Sequence, residues 1–211
     1  MVRNEFKNIY LISYKKNGKW NPIMEESRKR YDQMGFNVKL FEGFSLKEHP
    51  EIKPNEVCYR NIQKFFFENK NLTKNKNIKG FLISEDDSFV ADQVIPAFLQ
   101  KQIQAVKDYE RKIIRVGYQK IVRIAPTTDN SDGTYVVGTQ LLWFPRLIIE
   151  DILKRFEERK AQHLNGFLSK DKFLPVELLD KSEQIDRKNK YVLELEHVST
   201  TTGKVRKGKK V

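Results

Sequence analysis

Three consecutive acidic residues, Glu85, Asp86 and Asp87, follow a short apolar segment that begins after Gly80. An apolar segment of this length bounded by glycine is typical of a buried strand, although periodicity alone does not exclude a helix. Carboxylates that crowd together repel one another, and a hard divalent cation with oxygen ligands relieves that repulsion. Open α/β sheets bind ligands at the rim just beyond their strands. The stretch therefore suggests a metal site that holds a phosphate-bearing ligand.

The same acidic residues also suit a purely structural role. Acidic and small polar side chains favour solvated turns and the positive end of a helix, where Asp87 or Ser88 would act as the N-cap. Both interpretations stay open when this stretch is considered alone.

The composition favours one globular domain that is attracted to polyanions. The chain has 211 residues, a net charge of +12 and 14 phenylalanines. A chain of this size can bury a core, and its charge favours contact with nucleic acid, anionic membranes or phosphorylated molecules. We expect a single domain over residues 1–198 and a basic, disordered tail over residues 199–211.

Cysteine and histidine are too scarce for a disulfide framework or a structural zinc site. Cys58 is the only cysteine, which fits a reducing compartment and predicts a cytoplasmic protein. The three histidines, His49, His163 and His197, are widely separated in sequence. No apolar segment approaches about 18 residues, so the sequence predicts no transmembrane segment.

Strand and helix patterns alternate over the first half of the chain. Strand patterns cover residues 8–13, 36–41, 81–83, 112–116, 120–124, 135–144 and 191–195, and helical patterns cover 23–34, 56–68, 94–108 and 146–159. The segments 14–21, 69–79 and 126–133 are predicted as loops or connections. This alternation predicts an α/β fold with a mostly parallel sheet flanked by helices, and the longer loops after Ile124 predict a mixed second half.

The first loop argues against two common nucleotide sites. A dinucleotide site needs a glycine-rich turn after the first strand, and here that turn has only Gly18. A Walker pattern is also missing from the sequence. Tyr14, Trp20 and the neighbouring lysines could still contact a nucleotide, although a basic surface loop explains them as well.

Four segments in order resemble the GT-A glycosyltransferases, most nearly the family of lipooligosaccharide-synthesising and procollagen galactosyl-type transferases. The segments are Ile9-Tyr-Leu-Ile-Ser13, Phe36-Asn-Val-Lys-Leu-Phe-Glu-Gly43, Leu82-Ile-Ser-Glu-Asp-Asp87 and Tyr135-Val-Val-Gly-Thr-Gln140. They resemble the family's opening strand, second strand, acidic metal motif and acceptor-side segment. The resemblance implies a GT-A-like, Rossmann-type sheet over residues 8–155.

The resemblance also implies a cofactor and a donor. Mn²⁺ or Mg²⁺ would be held by Asp87 with Glu85, and His197 would be either a third ligand or a structural residue. Asp86 would support the metal or contact the ribose. The donor would be a nucleotide-sugar, with UDP-sugar as the first expectation. The residues expected to contact this donor are Ser13, Tyr14, Lys15, Arg60, Glu85 and Asp86.

If the reaction inverts the sugar, a carboxylate should act as the base on the acceptor hydroxyl. Asp132 and Glu177 are the expected catalytic residues, with Asp129 and Asp180 as alternatives. Each of them also fits a solvated loop. The acceptor would be a glycan or a polyanion such as DNA with a modified base or a phosphorylated glycolipid, and the protein would be peripheral to an anionic surface.

Two other classes of protein stay open. A Mg²⁺-dependent nuclease also places an aspartate at a strand end, and the chain contains Glu110-Arg-Lys112 and Glu158-Arg-Lys160. Both of these triplets lie at the ends of helical patterns rather than on a neighbouring strand. A non-catalytic nucleic-acid-binding protein would use the basic tail, although no helix-turn-helix or zinc motif supports it.

Overall fold

The structure of the chain is a computed structural model. It describes all residues except 17, 21, 54–55, 87–94, 118–119, 124–133, 138–140, 159–163, 165–167, 169–175, 179–196, 199–204 and 207–211.

A six-stranded sheet forms the centre of the described structure. Its strands are β1 (Asn8–Ser13), β4 (Asn37–Glu42), β5 (Gly80–Glu85), β6 (Ile113–Gly117), β9 (Leu141–Pro145) and β10 (Val176–Leu178). Their order across the sheet is β10-β6-β9-β5-β1-β4. β9 is antiparallel to both of its neighbours, and the other pairings in this sheet are parallel. The predicted mostly parallel sheet with a mixed second half is confirmed.

Three short strand pairs lie outside this sheet. They are β2 (Lys15–Lys16) with β3 (Lys19–Trp20), β7 (Lys120–Arg123) with β8 (Thr134–Val137), and β11 (His197–Val198) with β12 (Val205–Arg206).

Successive residues of a strand point to opposite faces of the sheet, so both faces carry apolar side chains. Helices cover both of these faces. The helices are α1 (Asn4–Lys7), α2 (Pro22–Gln33), α3 (Val57–Glu68), α4 (Lys70–Lys74), α5 (Pro96–Ala105) and α6 (Ile149–Glu158). On one face, β1 packs Ile9 and Leu11 in a cluster with residues of α2 and α5. On the other face, Tyr10 and Ile12 pack with phenylalanines of α3 and with α6.

The carboxyl ends of β1, β4 and β5 meet at one edge of the sheet. Ser13 pairs with Glu42 across β1 and β4, and Ile12 pairs with Glu85 across β1 and β5. This arrangement places the end of β1 beside the acidic residues, although Glu85 is 72 positions after Ser13 in the sequence. We refer to this edge as the carboxyl edge.

Several predicted boundaries differ from the structure for local reasons. The predicted loop 14–21 contains the β2–β3 pair, whose turn uses the positive φ of Gly18. The connection 69–79 contains α4. The helix predicted over 94–108 begins at Pro96, a residue suited to the first helical position, and Val106 is already extended.

The last helix and the later strands also differ from their patterns. The predicted helix over 146–159 starts with a 3-10 turn, Arg146–Ile148, before α6. The segment 135–144 forms parts of two strands, β8 and β9. The predicted loop 126–133 and strand 191–195 lie outside the described residues. The single-domain boundary and the disordered tail stay predictions, and within that tail the structure describes β12 paired with β11.

Candidate functional site

A pocket of about 360 Å³ lies at the carboxyl edge. One wall is made by the ends of β1 and β5 and another by the segment after β4 and the start of α3. Its lining residues that the functional argument uses are Tyr14, Phe44, Asn61, Glu85 and Asp86, together with Ser13. The pocket therefore combines acidic, aromatic and amide groups at the rim where parallel sheets bind ligands.

Asp86 joins three elements of the structure. Its side chain is only 8% exposed. Ser13 Oγ, at the end of β1, donates to Asp86 Oδ2 at 2.6 Å. Ser27 Oγ, on α2, donates to the backbone carbonyl of Asp86, also at 2.6 Å. A buried carboxylate requires such partners, so these bonds fix the position of the chain immediately after β5.

A second polar contact lies behind β5. The Tyr31 hydroxyl of α2 and Ser84 Oγ are 2.9 Å apart, and both side chains are buried. Burial raises the pKa of Tyr31 well above its ordinary value, while the contact with Ser84 lowers it to a smaller extent. Tyr31 is therefore neutral at physiological pH and contributes a polar anchor between α2 and β5.

Tyr14 follows β1 and faces the same pocket. Partial burial raises the pKa of its phenol, and the negative charge of Asp86 raises that pKa further. Its hydroxyl therefore keeps its proton at neutral pH and can donate a hydrogen bond to a bound ligand.

The opposite wall depends on close contact between Gly43 and Asn61. The Gly43 amide donates to the Ser13 carbonyl at 2.6 Å, and the Phe44 amide donates to Asn61 Oδ1 at 2.6 Å. A Cβ at position 43 would lie 2.7 Å from Asn61 Oδ1. Any larger residue at position 43 would therefore require the Asn61 side chain to move.

Two basic residues predicted to contact the donor have acidic partners at the edge of the site. Lys15 Nζ lies 2.7 Å from Glu42 Oε2 and 4.8 Å from the centre of the Trp20 ring. Arg60 lies 3.8 Å from Glu56 and 3.9 Å from Glu157. Neither side chain is among the residues that line the described pocket. Their contact with a donor stays a prediction.

The other predicted site residues fall into two groups. Glu177 is in β10 opposite Ile114, and His197 is in β11 opposite Arg206, so both have a described backbone. Asp87 and Asp132 lie outside the described residues. The pocket thus brings together Ser13, Tyr14, Glu85 and Asp86 from the predicted set, and the catalytic and metal assignments remain predictions.

The chemistry of the donor set suits Mg²⁺ or Mn²⁺, which prefer carboxylate oxygens. Glu85 is half-buried at the pocket wall, and Asp86 has one oxygen already bonded to Ser13. Within the part of the chain that the structure describes, three or more acidic, histidine or cysteine side chains do not gather as a metal-binding group. The predicted metal ligands Glu85, Asp87 and His197 therefore stay a prediction, and Asp87 lies outside the described residues.

Sequence patterns alone did not single out several residues of this site. These residues, which contribute polar contacts and a pocket wall, are Ser27, Tyr31 and Phe44. Ser27 is fully buried. Its position as a small polar residue on the inner side of an amphipathic helix could have indicated a buried hydrogen bond.

Solved structures that match this chain include two whose sequence identity to it is low. One is a glycosyltransferase involved in the glycosylation of the major capsid of PBCV-1, with a TM-score of 0.49 and 13% identity over 82% of this chain and 80% of that chain. The other is the inositol-1-phosphate CTP transferase from T. maritima, with a TM-score of 0.42 and 10% identity over 87% of this chain and 93% of that chain. No protein-family model and no curated protein matches the sequence. We therefore base the proposed function on this chain's own residues.

Proposed function

We propose that this chain is a metal-dependent glycosyltransferase of GT-A type that moves a sugar from a nucleotide-sugar to a hydroxyl acceptor. The observation that best supports this proposal is the pocket in which Glu85 and Asp86 leave β5 beside the end of β1. A strand that ends in adjacent acids, at the carboxyl edge of a mostly parallel sheet, suits the metal-bridged diphosphate of such a donor.

The two walls of the pocket suit different parts of a nucleotide-sugar. Phe44, Val57 and Ile62 provide apolar surface for a planar base, and Tyr14 provides a hydroxyl donor for polar groups of the nucleotide. A UDP-sugar is the first donor to test.

Glu85 and Asp86 would contribute in different ways. Glu85, together with Asp87, would hold Mn²⁺ or Mg²⁺, and the bound cation would neutralise the charge that develops on the leaving diphosphate. Asp86 is buried and accepts a hydrogen bond from Ser13. Its role would therefore be to position the chain that follows β5 rather than to bind the cation directly. Asp132 and Glu177 remain the proposed bases for the acceptor hydroxyl, and His197 remains a proposed third ligand.

The proposal can be tested by calorimetric titration of UDP, GDP and TDP with and without Mn²⁺. We expect one nucleotide to bind at least about tenfold more tightly with Mn²⁺, because a cation held by Glu85 and Asp87 would offset the negative charge of the diphosphate. Asp87→Ala and Glu85→Gln should abolish this metal-dependent gain. Glu26→Gln, which changes an exposed acid of α2, is the matched control and should retain it.

Two results would contradict this function. Failure of all three nucleotides to bind would remove the donor site. A metal-dependent gain that persists in both acidic variants would place the metal elsewhere. Metal-dependent cleavage of DNA without nucleotide binding would instead support the nuclease, and salt-sensitive DNA binding without cleavage would support a nucleic-acid-binding protein.

A further inference from the structure

The edge of the main sheet opposite the pocket has exposed apolar side chains beside lysines. Parallel strands β1, β4, β5 and β6 begin at this edge, and β9 ends there, since Gly80 pairs with Pro145. Helix α3 starts at the pocket with Val57 and ends at this opposite edge with Glu68. Its 12 residues span about 18 Å, so the two edges are well separated.

Two of the large apolar side chains at this edge are exposed to solvent. Phe67, in the last turn of α3, is 67% exposed, and Leu147, in the 3-10 turn after β9, is 47% exposed. Phe67 directly follows Phe66, Leu147 lies three residues after Phe144, and the buried rings of Phe66 and Phe144 have centroids 5.6 Å apart. The two exposed side chains therefore lie at the same edge of the sheet.

Three lysines follow Phe67 within the next nine residues of the chain. Lys70, Lys74 and Lys76 are exposed, and none of the three forms an ion pair with another residue in the described part of the chain. Lys70 Nζ lies 4.0 Å from the centre of the Phe67 ring. We name Phe67, Leu147 and these three lysines the far-edge patch.

We propose that the far-edge patch docks the protein on an anionic lipid bilayer. Exposed aromatic and aliphatic side chains enter the boundary between headgroups and acyl chains, while neighbouring lysines contact anionic headgroups. The charge around Phe67 is complementary: residues 64–79 contain five lysines, Lys64, Lys70, Lys74, Lys76 and Lys79, and one acid, Glu68. Lys64 and Lys79 already pair with Glu68 and Glu110, which leaves the patch lysines for lipid.

The chemistry of the patch favours lipid over nucleic acid. Leu147 has no aromatic face on which a base could stack, and the ammonium of Lys70 already covers the Phe67 ring. Insertion into a bilayer uses both apolar side chains without requiring a groove or a base contact. Docking at this edge would leave the pocket at the other end of α3 directed away from the bilayer.

Vesicle sedimentation with the whole chain tests this inference. We expect binding to equimolar phosphatidylcholine and phosphatidylglycerol but not to phosphatidylcholine alone. Each lysine near an anionic surface contributes about fivefold to binding, so K70E/K74E/K76E should weaken it by about 100-fold or more. K29E/K53E/K101E makes the same change of net charge at exposed lysines elsewhere and should retain most of the binding.

A second pair of variants distinguishes insertion of the apolar side chains into the bilayer from charge attraction to its surface. The fluorescence of Phe67→Trp should shift to the blue on anionic vesicles and be quenched by brominated acyl chains. F67S/L147S should lose binding despite an unchanged net charge. Retention of binding by this variant, equal loss in both lysine variants, absence of vesicle binding, or binding of duplex DNA through the patch instead would each overturn the proposal.

The same variants keep this inference separate from the proposed transferase function. Nucleotide titration of F67S/L147S should match that of the unmodified chain, because the pocket is at the opposite edge. Loss of nucleotide binding there would indicate a damaged fold. Normal nucleotide binding without any vesicle binding in the unmodified chain would reject the docking site alone.

Discussion

Glu85 and Asp86 are adjacent in sequence but have different surroundings in the structure. Glu85 ends β5 half-buried at the pocket wall, whereas Asp86 is buried and accepts a hydrogen bond from Ser13. The backbone carbonyl of Asp86 also accepts a bond from Ser27. Both acids line the pocket, but burial and these bonds distinguish the fixed Asp86 from the less buried Glu85.

Replacing Ser13 with alanine tests the holding role of Asp86. We expect Ser13→Ala to lower the free energy of unfolding by about 1.5–3 kcal/mol, because it removes a bond to a buried carboxylate. Ser45→Ala is the matched control, since Ser45 is also buried at the same pocket but accepts a longer bond of 3.3 Å from the Lys47 amide. Urea denaturation measures both changes, and equal losses would contradict the special role of the Ser13 bond.

Residue types and their order singled out several residues of this candidate site, and their contact with a donor stays a prediction. Ser13, Tyr14, Glu85 and Asp86 were all predicted near the donor, and they line one pocket. The different roles of Glu85 and Asp86 were not predictable, because adjacent acids are equivalent in the sequence until their burial in the structure is known. Ser27 was missed for a related reason: its partner Asp86 is 59 positions away, and only tertiary packing brings them together.

At the scale of elements, the segment after β4 is joined to both β1 and α3. The amides of Gly43 and Phe44 donate to Ser13 and Asn61 respectively. The absent side chain of Gly43 allows Asn61 to approach. This junction sets the distance between the acidic wall of the pocket and the wall made by α3.

A double-mutant cycle tests this junction. Gly43→Ala should cost about 1–3 kcal/mol of unfolding free energy, because its new Cβ displaces an amide that bonds to the backbone. In an Asn61→Ala background the same change should cost clearly less, since the displaced group is then absent. Thermal or urea unfolding of the four proteins measures the coupling. Additive losses would indicate that the contact between the two positions has no energetic consequence.

Periodicity predicted most central elements but not their spatial order. The strands β1, β4 and β6 and the helices α2 and α3 agree with their patterns to within a few residues. The insertion of β9 between β5 and β6 was not predictable, because strand order depends on long-range pairing rather than local pattern. The β2–β3 pair was missed because its strands are only two residues long.

At the scale of the whole molecule, burial raises the pKa values of several tyrosines above 10.0. Tyr31 has a large upward shift caused by complete burial, and burial is also the main cause for Tyr10, Tyr14 and Tyr59. The folded protein therefore keeps these phenolic protons to higher pH than the unfolded chain. Their contribution to stability is complete below pH 10 and is lost as pH rises through the folded-state pKa values.

The pH dependence of unfolding checks this sign. Above pH 10, we expect the free energy of unfolding to fall, with Tyr31 contributing a slope of up to about 1.4 kcal/mol per pH unit. Tyr31→Phe should have a lower stability at pH 8, since it loses the Ser84 contact, but a shallower decline in alkali. Urea denaturation between pH 8 and pH 11 gives both slopes, and parallel declines would contradict the assignment to Tyr31.

The position of β9 affects how the chain folds during synthesis. β5 and β6 are both translated before β9, yet β9 separates them in the finished sheet. Until the ribosome has passed Pro145, the nascent chain therefore has two strands whose facing edges present unpaired amide and carbonyl groups. Leu142, which belongs to β9, also completes a wall of the pocket. A nascent chain that stalls before this strand would have the acidic turn but an incomplete pocket, with open edges that can pair with other molecules.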